Sequence, residues 1–182
     1  MDKLVVIDSC AIIHFMYAEC WNLLKQLKYS VITTDSIQEE FELGLNKGHE
    51  NSYNFFMSLI DSKDIILYPL EINDLIIMAN IPESRKASKG ELSCFAIAYR
   101  LGCKVMTDDA KAVKYVKRHL TIESDKIISI IDIALEAYIN YLITDQDLIN
   151  IQTKLERNNY KLKIDLISEG PRRRLLNGNF NT

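Results

Sequence analysis

The stretch Leu4-Val5-Val6-Ile7 is an unbroken apolar, largely β-branched run. Without alternation it reads as a strand buried on both faces, as at the centre of a parallel sheet. It stops at Asp8, and Ser9-Cys10-Ala11-Ile12-Ile13 follows as a turn into a helix. Val31-Ile32-Thr33-Thr34 repeats the strand signature. Asp35 and Ser36 then start a helix that carries Ile37, Phe41 and Leu45 on one face. A helix over about 52–60, the strand Ile65-Ile66-Leu67-Tyr68 and a helix over 73–78 lead to a polar loop from Pro82 to Lys89. Residues 91–101 make a small-residue helix stopped by Gly102. Lys104-Val105-Met106-Thr107 is a strand ending at Asp108-Asp109, followed by a helix through Val116 and a last strand expected near Leu120-Thr121-Ile122. This alternation predicts a three-layer α/β/α domain, with a central parallel sheet of four to five strands covered on both faces.

The pattern changes after residue 124. Ile127, Ile130, Ile131, Ala134, Leu135, Tyr138, Tyr141 and Leu142 keep helical spacing, so 125–160 reads as a long amphipathic helix plus a second helix started by Thr144-Asp145. Leu148, Ile151 and Leu155 carry the stripe onward. Two roles are open for it: covering a sheet edge within one chain, or packing against a second copy or an inhibitory partner. Residues 161–182 read as a loose basic tail whose Arg172-Arg173-Arg174 run is free for RNA or an acidic partner. The expected division is thus a domain over 1–124, a helical extension over 125–160 and the tail.

An apolar fraction of 48% supports a real core and excludes global disorder. The net charge of −3, from 22 basic and 25 acidic residues, is unlike that of a dedicated nucleic-acid binder, yet an acidic active site by itself moves the balance that way. Cys10, Cys20, Cys94 and Cys103 contain no CxxC and read as buried hydrophobes of a reducing compartment. His14, His49 and His119 show no metal-ligand spacing. Apolar runs are short and interrupted by charge, so the expected location is the cytoplasm, without a membrane contact.

In open parallel sheets, ligands bind beyond the carboxyl ends of the strands. Asp8 and Asp108-Asp109 sit at two such ends, and Glu40 and Glu91 lie in first turns of helices that start near the same edge. Converging there, these acids would form an oxygen-rich site suited to magnesium or manganese. Without a cation, each close pair of carboxylates costs several kcal/mol, to order of magnitude. Structural roles compete. Glu91 closes a capping-box spacing with Ser88, and Ser36-Ile37-Gln38-Glu39 has the same spacing, which assigns Glu39 to a cap and leaves Glu40 free. Either Asp108 or Asp109 could be an N-cap. Asp8 is the acid for which periodicity supplies no structural role.

These segments resemble the PIN domain: Val6-Ile7-Asp8-Ser9-Cys10-Ala11-Ile12-Ile13, the Glu40 helix, Gly90-Glu91-Leu92-Ser93-Cys94-Phe95-Ala96-Ile97-Ala98 and Val105-Met106-Thr107-Asp108-Asp109. The similarity is strongest to VapC-type ribonuclease toxins and spans about residues 2–120. It implies that Asp8, Glu40, Glu91 and Asp109 hold magnesium or manganese, with Asp108 beside them and with Ser9 and Thr107 lending hydroxyls. RNA as substrate, an antitoxin partner and a homodimer are likewise implied by the resemblance. The Glu40-to-Glu91 spacing and the extension past Leu120 both exceed those of a typical VapC.

The implied chemistry is hydrolysis of a phosphodiester by metal-activated water, which needs no nucleophilic side chain. Arg85, Lys86 and Lys89 before the Glu91 helix, and Lys111, Lys114, Lys117 and Arg118 after Asp109, are candidates for phosphate contacts; a solvated helix face is their plain alternative. Two other classes are weighed. A non-catalytic PIN-like scaffold or regulatory subunit would have no use for clustered carboxylates. A phosphatase of the Asp-x-Asp type would need an acid where Cys10 stands, and the acid pair and later lysine of a receiver are missing.

Overall fold

The computed structural model describes residues 3–178. Five strands form its centre: β1 (Lys3–Ile7), β2 (Tyr29–Thr33), β3 (Ile66–Leu67), β4 (Lys104–Met106) and β5 (Ile127–Ile128). All neighbours pair in parallel, in the order β3-β2-β1-β4-β5. Central β1 aligns Val6 with Ile32 on one side and Val105 on the other, and Val5, Val6 and Ile7 are completely buried. This is the double burial that the apolar run of β1 requires.

The helices are α1 (Ser9–Ala18), α2 (Asn22–Gln26), α3 (Asp35–Leu45), α4 (Glu50–Asp61), α5 (Ile72–Ala79), α6 (Lys89–Leu101), α7 (Ala110–Val116), α8 (Ile130–Ile139), α9 (Asp145–Arg157) and α10 (Leu166–Gly178). Parallel crossovers are right-handed, so α1–α4 fall on one face of the sheet and α5–α7 on the other. The packing agrees: α1 meets α4, α8 and α9, while α6 lies on β1 and β4 beside α5 and α7. The strand order turns back at β1, leaving a crevice over the carboxyl ends of β1 and β4. None of the described helices is long and apolar enough to cross a membrane.

Three expectations need correction. Residues 120–122 are not a strand. The chain leaving α7 keeps turning, with Leu120 N bonded to Val116 O, and pairing resumes only at Ile127–Ile128, too short to show a period. The segment from 125 therefore opens with the end of a single 3-10 turn, Ser124–Lys126, and the fifth strand, and its first α-helix begins only at Ile130, capped by Ser129. Finally, the stretch expected to be a loose tail forms α10 over Leu166–Gly178, packed on α8 and α9.

Gly170 permits that packing, because a Cβ there would lie 2.7 Å from Leu148 Cδ2 and 3.1 Å from Tyr138 Cδ1. The arginine run is engaged rather than free. Arg172 and Arg173 pair with Glu169, and Arg174 lies over the rings of Tyr138 and Tyr141, 3.4 Å and 4.3 Å from their centroids. The stripe on α8 and α9 is mostly spent inside the chain: Ile130, Ile131, Ala134, Leu135, Tyr138, Leu148, Ile151 and Leu155 are buried. Tyr141 and Leu142 fall past the end of α8 and stay exposed.

Candidate active site

The end of β1 is pinned from two sides. Thr33 Oγ1 donates to Ile7 O at 2.7 Å, and Cys94 Sγ reaches the same carbonyl at 3.4 Å. Asp8 N then donates to Met106 O across β4, which fixes where the Asp8 side chain enters the crevice. Asp8 does have a structural role that periodicity missed: it is the N-cap of α1, with Oδ1 accepting from Ala11 N at 2.8 Å. The other oxygen is the anomaly. Asp8 is 1% exposed, and among the described residues Oδ2 is the one buried side-chain polar atom with no hydrogen-bond partner.

Burial pushes the Asp8 carboxyl up to about 7, and the nearby Asp108 and Glu91 push it the same way. The Ala11 amide and the nearby Thr107 hydroxyl act in the opposite sense, but Thr107 Oγ1 is placed to accept from Asp109 N and makes no bond of proper geometry to Oδ2. Glu91 is raised too, chiefly by burial and further by Asp109 and Glu40, against the stabilising Ser88 contact. Like charges are therefore felt at both Asp8 and Glu91.

Glu40 is held by Ser9, whose Oγ donates to Oε2 at 2.6 Å. Its approach depends on Gly90: a Cβ there would sit 2.8 Å from both Glu40 Cδ and Ile37 Cδ1. A second chain of bonds, Thr34 Oγ1 with Ser93 Oγ at 2.7 Å and Ser93 Oγ to Gly90 O at 2.6 Å, locks α3 against α6 at this point. Glu91 forms the capping box with Ser88, Oε2 accepting from Ser88 N at 2.7 Å. Asp109 is the N-cap of α7, and both of its cap bonds, from Lys111 N and Ala112 N, go to Oδ1. The expected Glu39 cap is absent because Thr34 itself caps α3, accepting from Ile37 N; Glu39 instead pairs with Lys89 at the surface.

Asp108 turns away from this set. Its Oδ2 accepts from His14 Nδ1 at 2.9 Å, and its Oδ1 accepts from Tyr160 OH at 3.0 Å and Ile130 N at 3.3 Å. The His14 ring stands edge-on to Tyr160, 4.6 Å between centroids. Neither His14 nor Tyr160 was a candidate from sequence. The one cue for His14 was a histidine four residues after Cys10 in an otherwise largely apolar helix, and Tyr160 offered none. Of the basic candidates, Lys114 and Lys117 line a cleft beside Asp108, Lys89 is paired with Glu39, and Arg85, Lys86 and Lys111 are exposed.

The donor chemistry fits a divalent cation: an orphaned buried carboxylate oxygen, with further hard oxygens on the elements around it. The shell is not assembled in advance. Among the described residues, no three His, Cys, Asp or Glu side chains are arranged to hold an ion as they stand. Glu40, Glu91 and Asp109 each rest on a hydroxyl or a helix cap instead.

A family model described as a PIN domain matches residues 4–169. The chain belongs to the PIN-domain family. The match runs well past residue 120 and takes in α8, α9 and the start of α10. PIN domains are generally nucleases that use divalent metal ions. Comparison with curated proteins gave no match.

Gly90→Ala isolates the role of Glu40. Alanine gains about 1 kcal/mol of helix propensity over glycine within α6, which offsets the cost of shifting the Glu40 carboxylate and the tip of the buried Ile37 side chain that its Cβ meets. The variant should melt close to the parent while nuclease activity falls on the order of 10–100-fold, as expected when a site group is displaced by about 1 Å. Parent-like activity would show that the Gly90–Glu40 contact is irrelevant to the site.

Proposed function

We propose that this PIN-domain protein is an endoribonuclease that hydrolyses RNA phosphodiester bonds with magnesium or manganese bound at Asp8, Asp109, Glu40 and Glu91. The observation that carries the reading is Asp8 Oδ2, a buried carboxylate oxygen without a donor, in the crevice over β1 and β4. A buried, unpartnered carboxylate is destabilising unless something compensates it. When bound, a divalent ion supplies an acidified water and neutralises charge on the attacking and leaving oxygens.

The chain's own residues provide the remainder. Asp8 and Asp109 are the main ligands, Ser9 orients Glu40, and Ser88 orients Glu91. Thr107 Oγ1 accepts from Asp109 N at 3.2 Å and so sets the turn that presents Asp109. Asp108 supports the site from behind, holding His14 and Tyr160. Arg85, Lys86, Lys111 and Lys114 are carried forward as phosphate contacts.

Purified protein incubated with single-stranded RNA should give cleavage products with added manganese or magnesium and none with EDTA. Equal cleavage in EDTA, or none under any condition, would sink the assignment. The VapC resemblance adds a toxin role. Its test is co-expression with the product of a neighbouring small reading frame, which should restore growth that the nuclease alone arrests. A homodimer would bury the exposed face of α5 (Ile72, Leu75 and Ile76), and light scattering reads its mass.

One observation favours a second reading, a non-catalytic scaffold: Asp8, Glu91 and Asp109 all cap helices. Caps alone account for the position of these acids but not for the second oxygen of Asp8, since Ser or Asn would cap as well without a buried charge.

A further inference from the structure

A cleft of about 760 Å³ lies outside the carboxylate set, over the ends of β4 and β5. Thr107 and Asp108, which follow the end of β4 and both act on the Asp8 carboxyl, line it and so connect it to the candidate site. α7 and its C-cap supply one side with Lys114 and Lys117, and the segment between α9 and α10 supplies another with Lys161 and Lys163. The floor is apolar, with Val113, Ile127, Ile131 and Ile164. Its two acids are already engaged, Asp108 by His14 and Tyr160, Asp132 by Ser129. Among the described residues, Lys114, Lys161 and Lys163 enter no salt bridge.

Resting on the nuclease reading, we propose that this cleft seats the single-stranded stretch of RNA next to the scissile phosphate. Lysines on two sides above an apolar floor match a chain that offers phosphates and bases separately. An extended single strand lays its bases on an apolar surface while its backbone follows the positive rim. A duplex keeps its bases stacked inside and leaves such a floor nothing to bury. The net charge of −3 makes the concentration of four lysines here more telling, since the rest of the molecule repels a polyanion. Lys161 and Lys163 fall inside the matched family region, yet sequence reading assigned them to a loose tail.

The test is binding of a short fluorescent single-stranded oligoribonucleotide to the full chain, read by anisotropy across a salt series. An Asp8→Asn background prevents cleavage during the measurement. Lys161→Ala/Lys163→Ala should weaken binding about tenfold and flatten the slope of log Kd against log salt by about 1.4, the amount for two phosphate contacts on a single strand. Lys47→Ala, beyond the C-terminal end of α3, should leave both unchanged. The lysines replaced are exposed, and a melting curve unchanged from that of Asp8→Asn alone confirms that the variants fold. Equal Kd and slope in the double variant would overturn the proposal, as would duplex RNA binding as tightly as single strands. Lysine-dependent binding of a hexaglutamate peptide without RNA binding would overturn it in favour of a protein partner. The two readings fail separately. Lysine-dependent RNA binding without any metal-dependent cleavage keeps the cleft and removes the nuclease. Metal-dependent cleavage with unchanged KM in the double variant does the reverse.

Discussion

Asp8→Asn should abolish metal-dependent RNA cleavage and at the same time melt higher than the parent in metal-free buffer at neutral pH. Asparagine caps a helix as well as aspartate does, so the bond from Ala11 N to Oδ1 survives the change. What is lost is the charge on a buried oxygen with no donor. Losing a ligand contribution of roughly 3–4 kcal/mol lowers the rate about 10²–10³-fold. The stability gain follows from linkage. The carboxyl lies at about 7 in the folded protein against 3.8 for a free aspartate, so between those values the native state holds a proton that the unfolded chain releases. Stability then falls as pH rises through this window, by an amount on the order of 3–4 kcal/mol by pH 7. Below about pH 4 the group is protonated in both states and the penalty is gone. Thermal melts of parent and variant from pH 4 to 8 should therefore diverge with rising pH, the variant staying higher. Manganese should raise the melting temperature of the parent by mass action and leave that of Asp8→Asn almost unmoved. Glu39→Gln, which removes only an exposed ion pair with Lys89, should change stability by less than about 1 kcal/mol and leave cleavage intact. Parallel pH profiles for the parent and Asp8→Asn would show that Asp8 carries no buried charge penalty.

The fold was legible where burial is two-sided or the periodicity is long. The unbroken run of β1, the small-residue helix α6 and its Gly102 stop, at φ 62°, could each be placed from residue type alone. Asp8, Glu91 and Asp109 could be placed at strand ends or a helix start because these share one edge in a parallel sheet. Glu40, expected in a first turn, stands instead in the second turn of α3, whose cap is Thr34. Two-residue β5 was not legible, since no period exists over two positions. α10 was hidden for a different reason. Gly170-Pro171 reads locally as a helix breaker, whereas Gly170 is there because Tyr138 and Leu148 leave no room for a side chain. The engagement of Asp108 also lay beyond the sequence, because its partners His14 and Tyr160 are 94 and 52 residues distant. Glu39 failed as a cap because Thr34, two positions earlier than the Ser36 start, already satisfied the first turn.

Ending the chain at residue 143 should yield an insoluble protein or one without a cooperative melt. The truncation removes α9 and α10, and with them the buried side chains Leu148, Ile151, Leu155 and Leu166. Burying one such side chain is worth about 1.5–3 kcal/mol, so four of them approach the entire stability of an ordinary domain, about 5–15 kcal/mol. The loss is felt on both sides of the interface. α1 packs against α9, and α8 packs against α9 and α10, so the apolar surface of both helices would be opened to water. Tyr160 would go as well, depriving the buried Asp108 of one of its three donors directly beside the candidate active site. Lys154 would no longer reach Glu19 at the end of α1, a smaller effect at an exposed pair. Expression yield, a thermal melt and light scattering on the truncated chain read these effects together. A soluble, cooperatively melting and active chain would mean that α9 and α10 are dispensable cover. A clean shift from dimer to monomer with activity retained would instead make these helices an interface between copies.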